Sequence, residues 1–187
     1  MHHADQGPNA QAQLEACLAS VPWDRLATFY GRATRFPEQA RLIASGRADG
    51  AVFKEVADGI EHQDGVIQAS PFVTRALIEL LRAPKTDKAA LVSVLEQVYR
   101  AAVFQTGPEA PAPEEAEIPL EEELLGPFVS EDEDEIMWEE WNPANWLYWP
   151  RHCREAIEGA RELIESFSGQ SGELGRIASS LFAESES

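Results

Sequence analysis

The chain has 187 residues, 44% of them hydrophobic, which is enough for one domain with a sizeable core. Its 33 acids and 15 bases give a net charge of −18, and nucleic acid is an unfavourable direct partner for such a surface, because a phosphate backbone requires basic residues. No apolar run approaches ~20 residues and residues 1–13 lack a hydrophobic signal core, so we expect no membrane span and no secretion. Two cysteines without a framework spacing predict reduced thiols and a cytoplasmic location.

Residues 10–104 show helical periodicity and no strand pattern. After a short helix over 10–19, Trp23, Leu26, Ala27 and Tyr30 fall at i, i+3, i+4 and i+7. This spacing predicts an amphipathic helix with Trp23 and Tyr30 in the core, ending at Gly31.

Further apolar stripes follow in quick succession. Pro37 opens a helix that ends near Gly46, a stripe runs from Gly50 to about His62, and Ser70-Pro71 starts the next helix. Thr86 or Asp87 caps a longer helix with Leu91, Leu95, Val98 and Ala102 inward. Because the connections are short, we expect antiparallel helical pairs.

Residues 105–142 interrupt this pattern as an acidic, proline-containing insertion. The span 109–140 contains 14 acids, and 101–150 contains no Lys or Arg. Without those 14, 19 acids face 15 bases, a net charge of −4. Leu120–Leu125 is compatible with one helical turn, and Phe128 with Val129 is predicted to attach the loop to the helical body.

Four of the five tryptophans (138, 141, 146 and 149) follow directly behind the acids. Dense negative charge beside aromatic side chains favours a binding surface for a basic protein, since charge steers the encounter and aromatics act as anchors. The simpler interpretation is a solvated acidic linker and tryptophans that belong to the core. The predicted partner-binding residues are Glu131, Asp132, Glu133, Asp134, Glu135, Trp138, Glu139, Glu140, Trp141 and Trp146.

Residues 143–183 return to helical periodicity and are predicted to form a hairpin of two helices. The first carries Cys153, Ile157 and Ile164 on its apolar face, and Ser171 is predicted to cap the second. The whole chain, 1–187, is therefore predicted to be a single all-α domain.

Residues 21–81 resemble a group of bacterial HEAT-repeat-like proteins. The resemblance is carried by Val-Pro-Trp-Asp-Arg-Leu at 21–26, Tyr30-Gly31-x-Ala33, the Pro37 helix ending in Ser45-Gly46, Ile60-Glu61-His62-Gln63, and Ala69-Ser70 before Phe72. It implies an α-solenoid of antiparallel helical pairs, here with the acidic loop-rich insertion.

Many members of that group look like immunity or accessory proteins of polymorphic toxin systems. The resemblance therefore implies a non-catalytic immunity protein that neutralises a basic, nuclease-type bacterial toxin by direct binding. The alternative is a HEAT-like adaptor or regulatory scaffold. HEAT-like folds also act as DNA glycosylases, but those need a basic concave face that this chain does not supply.

The sequence gives little support for a catalytic or metal-binding site. No nucleotide-binding glycine motif is present, and Glu173 occupies the position where a nucleophile elbow at Ser171 would need Gly. His152 and Cys153 point apart on a helix, so zinc is not expected, and residues 131–135 lack the ligand spacing of a calcium loop. We therefore predict no enzyme activity, no cofactor and no metal.

His62 and Gln63 are the most conspicuous polar pair in the first half. Because they close a helix just before Asp64-Gly65, we predict that they hydrogen-bond the last helical carbonyls and order the turn. A contact with a partner is the alternative.

Overall fold

The computed structural model describes residues 7–107, 124–126, 128–133 and 145–183, except the side chains of 7–10, 145 and 146. The chain is mostly helical, as the sequence predicts. In chain order the helices are α1 (Gly7–Ala19), α2 (Phe36–Ala44), α3 (Gly50–Ile60), α4 (Ser70–Leu80), α5 (Lys88–Thr106), α6 (Asn145–Gly159), α7 (Arg161–Glu165) and α8 (Glu173–Ser180). Over these ranges no helix has the length and apolarity needed to cross a bilayer.

Helices α4 and α5 form the centre of the fold. Helix α4 packs against α1, α2, α5 and α6, while α5 also contacts α3, α6 and α8. The inward positions predicted for α5, from Leu91 to Ala102, are buried. The C-terminal region predicted as two helices consists of three helical pieces, because the chain breaks at Ala160 between α6 and α7.

Two short antiparallel hairpins correct the expectation of a strand-free first half. Hairpin 1 pairs β1 (Ala27–Thr28) with β2 (Gly31–Arg32), and hairpin 2 pairs β3 (Glu61–His62) with β4 (Gly65–Val66). Strands of two residues are too short to show an alternating hydrophobic pattern, so helical spacing dominates the sequence signal.

The predicted helix from Trp23 to Tyr30 is wrong. A 3-10 helix spans Trp23–Arg25, and hairpin 1 follows, with Gly31 at φ +121°, a conformation that L side chains rarely adopt. Thr28, Phe29 and Tyr30 are β-branched or aromatic and favour extended structure. Trp23 is buried as predicted, but Tyr30 stands at the hairpin tip and is 69% exposed rather than in the core.

The predicted capping role of His62 and Gln63 is also wrong. Helix α3 ends at Ile60, whose carbonyl accepts a hydrogen bond from Ser70 Oγ at 2.6 Å. His62 belongs to β3, and Gln63 with Asp64 forms the tip of hairpin 2 at φ +51° and +60°. A turn is present where the sequence predicts one, but as a hairpin tip.

Side-chain caps support two of the helices. Asp49 accepts hydrogen bonds from the N–H groups of Ala51 and Val52 at the start of α3, and Asp87 accepts one from Ala90 N–H at the start of α5. The predicted cap at Ser171 is wrong, because Gly172 precedes α8 and no side chain caps that helix.

Candidate functional site: an anchored acidic segment and a groove at Gln39

The structure describes three of the ten predicted partner-binding residues with their side chains. Glu131, Asp132 and Glu133 form an exposed helical turn, and Ser130 Oγ accepts the N–H of Glu133 at 3.2 Å. Trp146 contributes its backbone to α6, and its side chain lies outside the description. The remaining predicted residues also lie outside the described ranges: Asp134, Glu135, Trp138, Glu139, Glu140 and Trp141.

Trp149, the last of the clustered tryptophans, belongs to the hydrophobic core. It lies on α6, the helix that packs against both α4 and α5. Trp149 is therefore a core residue, as the simpler interpretation of the aromatic cluster predicts.

The acidic insertion is attached to the body through Leu125. Its side chain is fully buried, at 0% exposure, and its backbone exchanges hydrogen bonds with a residue 100 positions earlier. Leu125 N–H donates to Arg25 O at 3.0 Å, and Arg25 Nε donates to Leu125 O at 2.9 Å. The two-way bonding fixes both the position and the direction of the insertion at this point.

Arg32 of hairpin 1 provides a second attachment. Its Nη1 donates to Asp24 O at 2.9 Å and to Gly126 O at 2.8 Å, joining the insertion to the 3-10 helix before the hairpin. The guanidinium carbon lies 5.2 Å from the centroid of the Phe128 ring, within cation–π range. We name Leu124–Gly126 with Arg25 and Arg32 the insertion anchor.

Phe128 and Val129 are not buried against the helical body, although the sequence predicts that they attach the loop to it. They are 59% and 66% exposed, so Leu125 supplies the buried contact instead. Two exposed apolar side chains thus stand directly before the acidic turn Glu131–Glu133. An apolar centre beside charged residues is the usual anatomy of a protein-binding patch.

A groove with an apolar interior and charged side chains at its walls is lined by Arg32. It runs between hairpin 1, residues 33–39 and helix α3, and has a volume of about 520 Å³. Two ion pairs, Arg35–Glu55 and Lys54–Asp58, lie at its solvent-exposed walls. Gln39 of α2 lines the interior and is 8% exposed. We call it the Gln39 groove.

The tips of the two hairpins meet beside this groove. Tyr30 Oη and His62 Nδ1 are 3.3 Å apart, within hydrogen-bond distance, and the His62 ring also packs against Phe29 with centroids 5.7 Å apart. Phe29 N–H donates to Gly59 O of α3 at 3.0 Å, so hairpin 1 is held against the helix that forms the opposite wall.

Sequence reasoning did not identify the insertion anchor or the groove. The Leu124-Leu125 pair, isolated among acids, is a signal that could have pointed to the anchor. No comparable signal marks Gln39, because its environment arises from elements that are distant in sequence.

Two observations concern the chemistry of the described side chains. Within these ranges no three His, Cys, Asp or Glu side chains form a group that could hold a metal ion. Cys153 lies beside Thr74, and complete burial raises the pKa of its thiol to about 12. That thiol is therefore protonated at neutral pH and is not activated as a nucleophile or metal ligand.

Comparison with known proteins identifies no relative: the chain matches no protein-family model, and no curated protein or solved structure is significantly similar to it. The resemblance to HEAT-repeat-like proteins therefore stays a prediction from the sequence.

Proposed function

We propose that this chain is a protein-binding domain whose acidic insertion captures a basic protein partner. The charge supports this, because 14 acids in one segment make a near-neutral helical body strongly acidic. A concentrated negative field accelerates the encounter with a positively charged protein and disfavours acidic competitors.

The observation that carries the proposal is the insertion anchor. A freely moving acidic arm steers a partner but does not orient it. Here the buried Leu125 and the bonds from Arg25 and Arg32 fix the chain just before Phe128, whose ring lies beside Arg32 of hairpin 1. The exposed Val129 and the Glu131–Glu133 turn follow Phe128 along the chain. We call Phe128, Val129 and the turn Glu131–Glu133 the anchored patch, which joins steering charges to apolar contact area in one short segment.

The finer form of the proposal is an immunity protein built on a HEAT-like α-solenoid of helical pairs. It would neutralise a basic, nuclease-type bacterial toxin without catalysis, since an acidic surface imitates the phosphate backbone that such a toxin binds. The resemblance of residues 21–81 supports this form, and the two cysteines without a disulfide fit the cytoplasm. An adaptor without a toxic partner is the competing outcome.

The proposal is tested by neutralising the described acidic turn. The variant E131Q/D132N/E133Q removes three charges, and the control E38Q/E162Q/E173Q removes three exposed acids elsewhere. A partner captured from the native host is purified, and its association rate with each variant is measured over a range of salt. We expect the turn variant to associate about tenfold more slowly at low salt and the control to behave nearly as wild type.

Equal rates for the two variants would show that overall charge, and not the anchored patch, governs binding. The immunity form is distinguished from the adaptor form by expressing the partner alone. A toxin arrests growth, and co-expression of this chain restores it, whereas the partner of an adaptor is harmless.

A further inference from the structure

The Gln39 groove contains a mostly buried glutamine whose carboxamide stays accessible from the groove. Helix α2 buries Phe36, Gln39, Ala40 and Ile43 on one face, so Gln39 occupies one position of an otherwise apolar stripe. Across the described residues no hydrogen bond reaches its side chain. Neither amide atom of Gln39 is fully shielded from solvent, so the carboxamide is available to a ligand in the groove, while the other inward positions of the stripe are apolar.

The surroundings of Gln39 match a polypeptide. Phe36, Val56 and Val73 line the apolar interior of the groove, while the ion pairs Arg35–Glu55 and Lys54–Asp58 stand at its exposed walls. An extended chain directs every second side chain to one face and leaves its peptide groups free to hydrogen-bond along its edges. A peptide group offers one N–H and one C=O, the complement of a carboxamide.

The groove is continuous with the anchored patch through one residue. Arg32 lines the groove and also bonds Gly126 and stacks on Phe128. A protein held at Phe128 and the acidic turn therefore has the groove next to its contact surface.

We propose that the Gln39 groove receives an extended segment of the protein partner, with one of its peptide groups hydrogen-bonded to the Gln39 carboxamide. The identity of this occupant as a protein segment rests on the proposed protein-binding function. The flanking ion pairs are exposed and open readily, so charged side chains of the segment exchange partners with them at little cost. A free small molecule is the competing occupant.

The test uses short random peptides displayed as a library and selected against the intact chain. Selection at physiological ionic strength screens exposed charges more than ~8 Å apart and so reduces capture by the acidic insertion. Selected peptides are then measured against wild type, Q39L and the control Q97L, which changes an exposed glutamine on α5. We expect Q39L to lose about tenfold or more in affinity and Q97L to bind as wild type.

Thermal unfolding separates recognition from structure. Because Gln39 interrupts an apolar stripe and makes no hydrogen bond to the described residues, the melting temperature of Q39L should equal or exceed that of wild type. A lower melting temperature would show that the amide stabilises the fold and would contradict the proposed role.

A measurement on the wild type does not depend on any variant folding. Addition of a selected peptide should shift backbone amide NMR signals of α2 and α3 and leave those of α8 unchanged. The proposal is overturned if no peptide is selected, if shifts occur only outside the groove, or if folded Q39L binds as tightly as wild type. Binding only of free small molecules in a parallel fragment screen would likewise reject a peptide occupant.

The E131Q/D132N/E133Q variant distinguishes the two proposals. It should bind the selected peptides as wild type does, because the groove lies outside the acidic turn. The first proposal alone is rejected if the acidic-turn variant associates with the partner as fast as wild type while Q39L loses peptide binding. The second proposal alone is rejected if the acidic-turn variant associates more slowly while Q39L binds the peptides as tightly as wild type.

Discussion

Hairpin 1 and hairpin 2 have the same size and equivalent pairing, yet they contact different parts of the molecule. Hairpin 1 carries the exposed Tyr30 at its tip, and its Arg32 reaches both the acidic insertion and the Gln39 groove. Hairpin 2 packs against α5, and Gln105 Oε1 accepts the N–H of Val66 at 3.0 Å. Hairpin 1 therefore contacts both the insertion and the groove, while hairpin 2 joins hairpin 1 to α5.

The attachments of the two hairpins differ accordingly. Gln68, which is fully buried, accepts the N–H of Ala27 in hairpin 1 at 2.9 Å, and Ala69 N–H donates to the Ala27 carbonyl at 3.0 Å. The corresponding bond from Val66 to Gln105 is only partly buried. The two hairpins thus have the same secondary structure but different surroundings. The contacts around each hairpin determine which of its side chains are exposed to solvent.

The largest effect is expected where the insertion joins hairpin 1. Leu125→Ala should lower the free energy of unfolding by about 2–4 kcal/mol, because a fully buried leucine leaves a cavity. The measurement is urea denaturation, with the exposed Val129→Ala as the control. If both variants lose the same stability, Leu125 does not anchor the insertion as described.

The next prediction compares the two side-chain attachments. Gln68→Leu should cost about 1–3 kcal/mol, because it leaves the buried Ala27 N–H unpaired, whereas Gln105→Leu should cost about 1 kcal/mol because water reaches Val66 more easily. Urea denaturation of both variants provides the comparison. A larger loss for Gln105→Leu would show that hairpin 2 is the more firmly held of the two.

A gain is expected at the tip of hairpin 2. Gln63 and Asp64 both adopt left-handed conformations, for which Asn-Gly is the preferred dipeptide. The double variant Q63N/D64G should therefore raise the free energy of unfolding by about 1 kcal/mol. The melting temperature reports the gain, and an unchanged or lower value would indicate that native contacts of the tip compensate the backbone cost.

The smallest effect concerns Glu61 of hairpin 2. Partial burial raises the pKa of this carboxyl above its ordinary value of 4.5, although the N–H of Asp64 opposes the shift. Because the folded chain binds this proton more tightly than the unfolded chain, the free energy of unfolding falls as the pH rises from the ordinary pKa through the raised one.

Glu61→Gln removes this titration and keeps an oxygen that accepts the Asp64 N–H. The variant should therefore gain stability relative to wild type as the pH rises through that interval. Denaturation series at several pH values measure the difference, and a difference that stays constant with pH would contradict the assigned cause.

The predictable part of the fold is its long periodic helices. Leu91, Leu95 and Val98 were predicted inward on α5, and all three are buried, because a regular 3.6-residue repeat over many turns has one apolar face. The two hairpins could not be predicted in this way, since strands of two residues have no measurable period. For this reason the helical pattern predicts Tyr30 in the core, whereas the structure places it at an exposed hairpin tip.

For the candidate site, the sequence determined the charge. Fourteen acids without a base between them make the insertion negative in any fold, because formal charges add along the chain. The sequence also determined that Glu131, Asp132 and Glu133 follow two apolar residues.

Only the tertiary structure decided where that charge is held and what lies beside it. Arg25 and Leu125 are 100 positions apart, and no local pattern specifies their pairing. The Gln39 groove likewise requires α2, α3 and hairpin 1 to come together. Propensity, periodicity and charge are properties of neighbouring residues, whereas an anchor and a groove are formed by residues that become neighbours on folding.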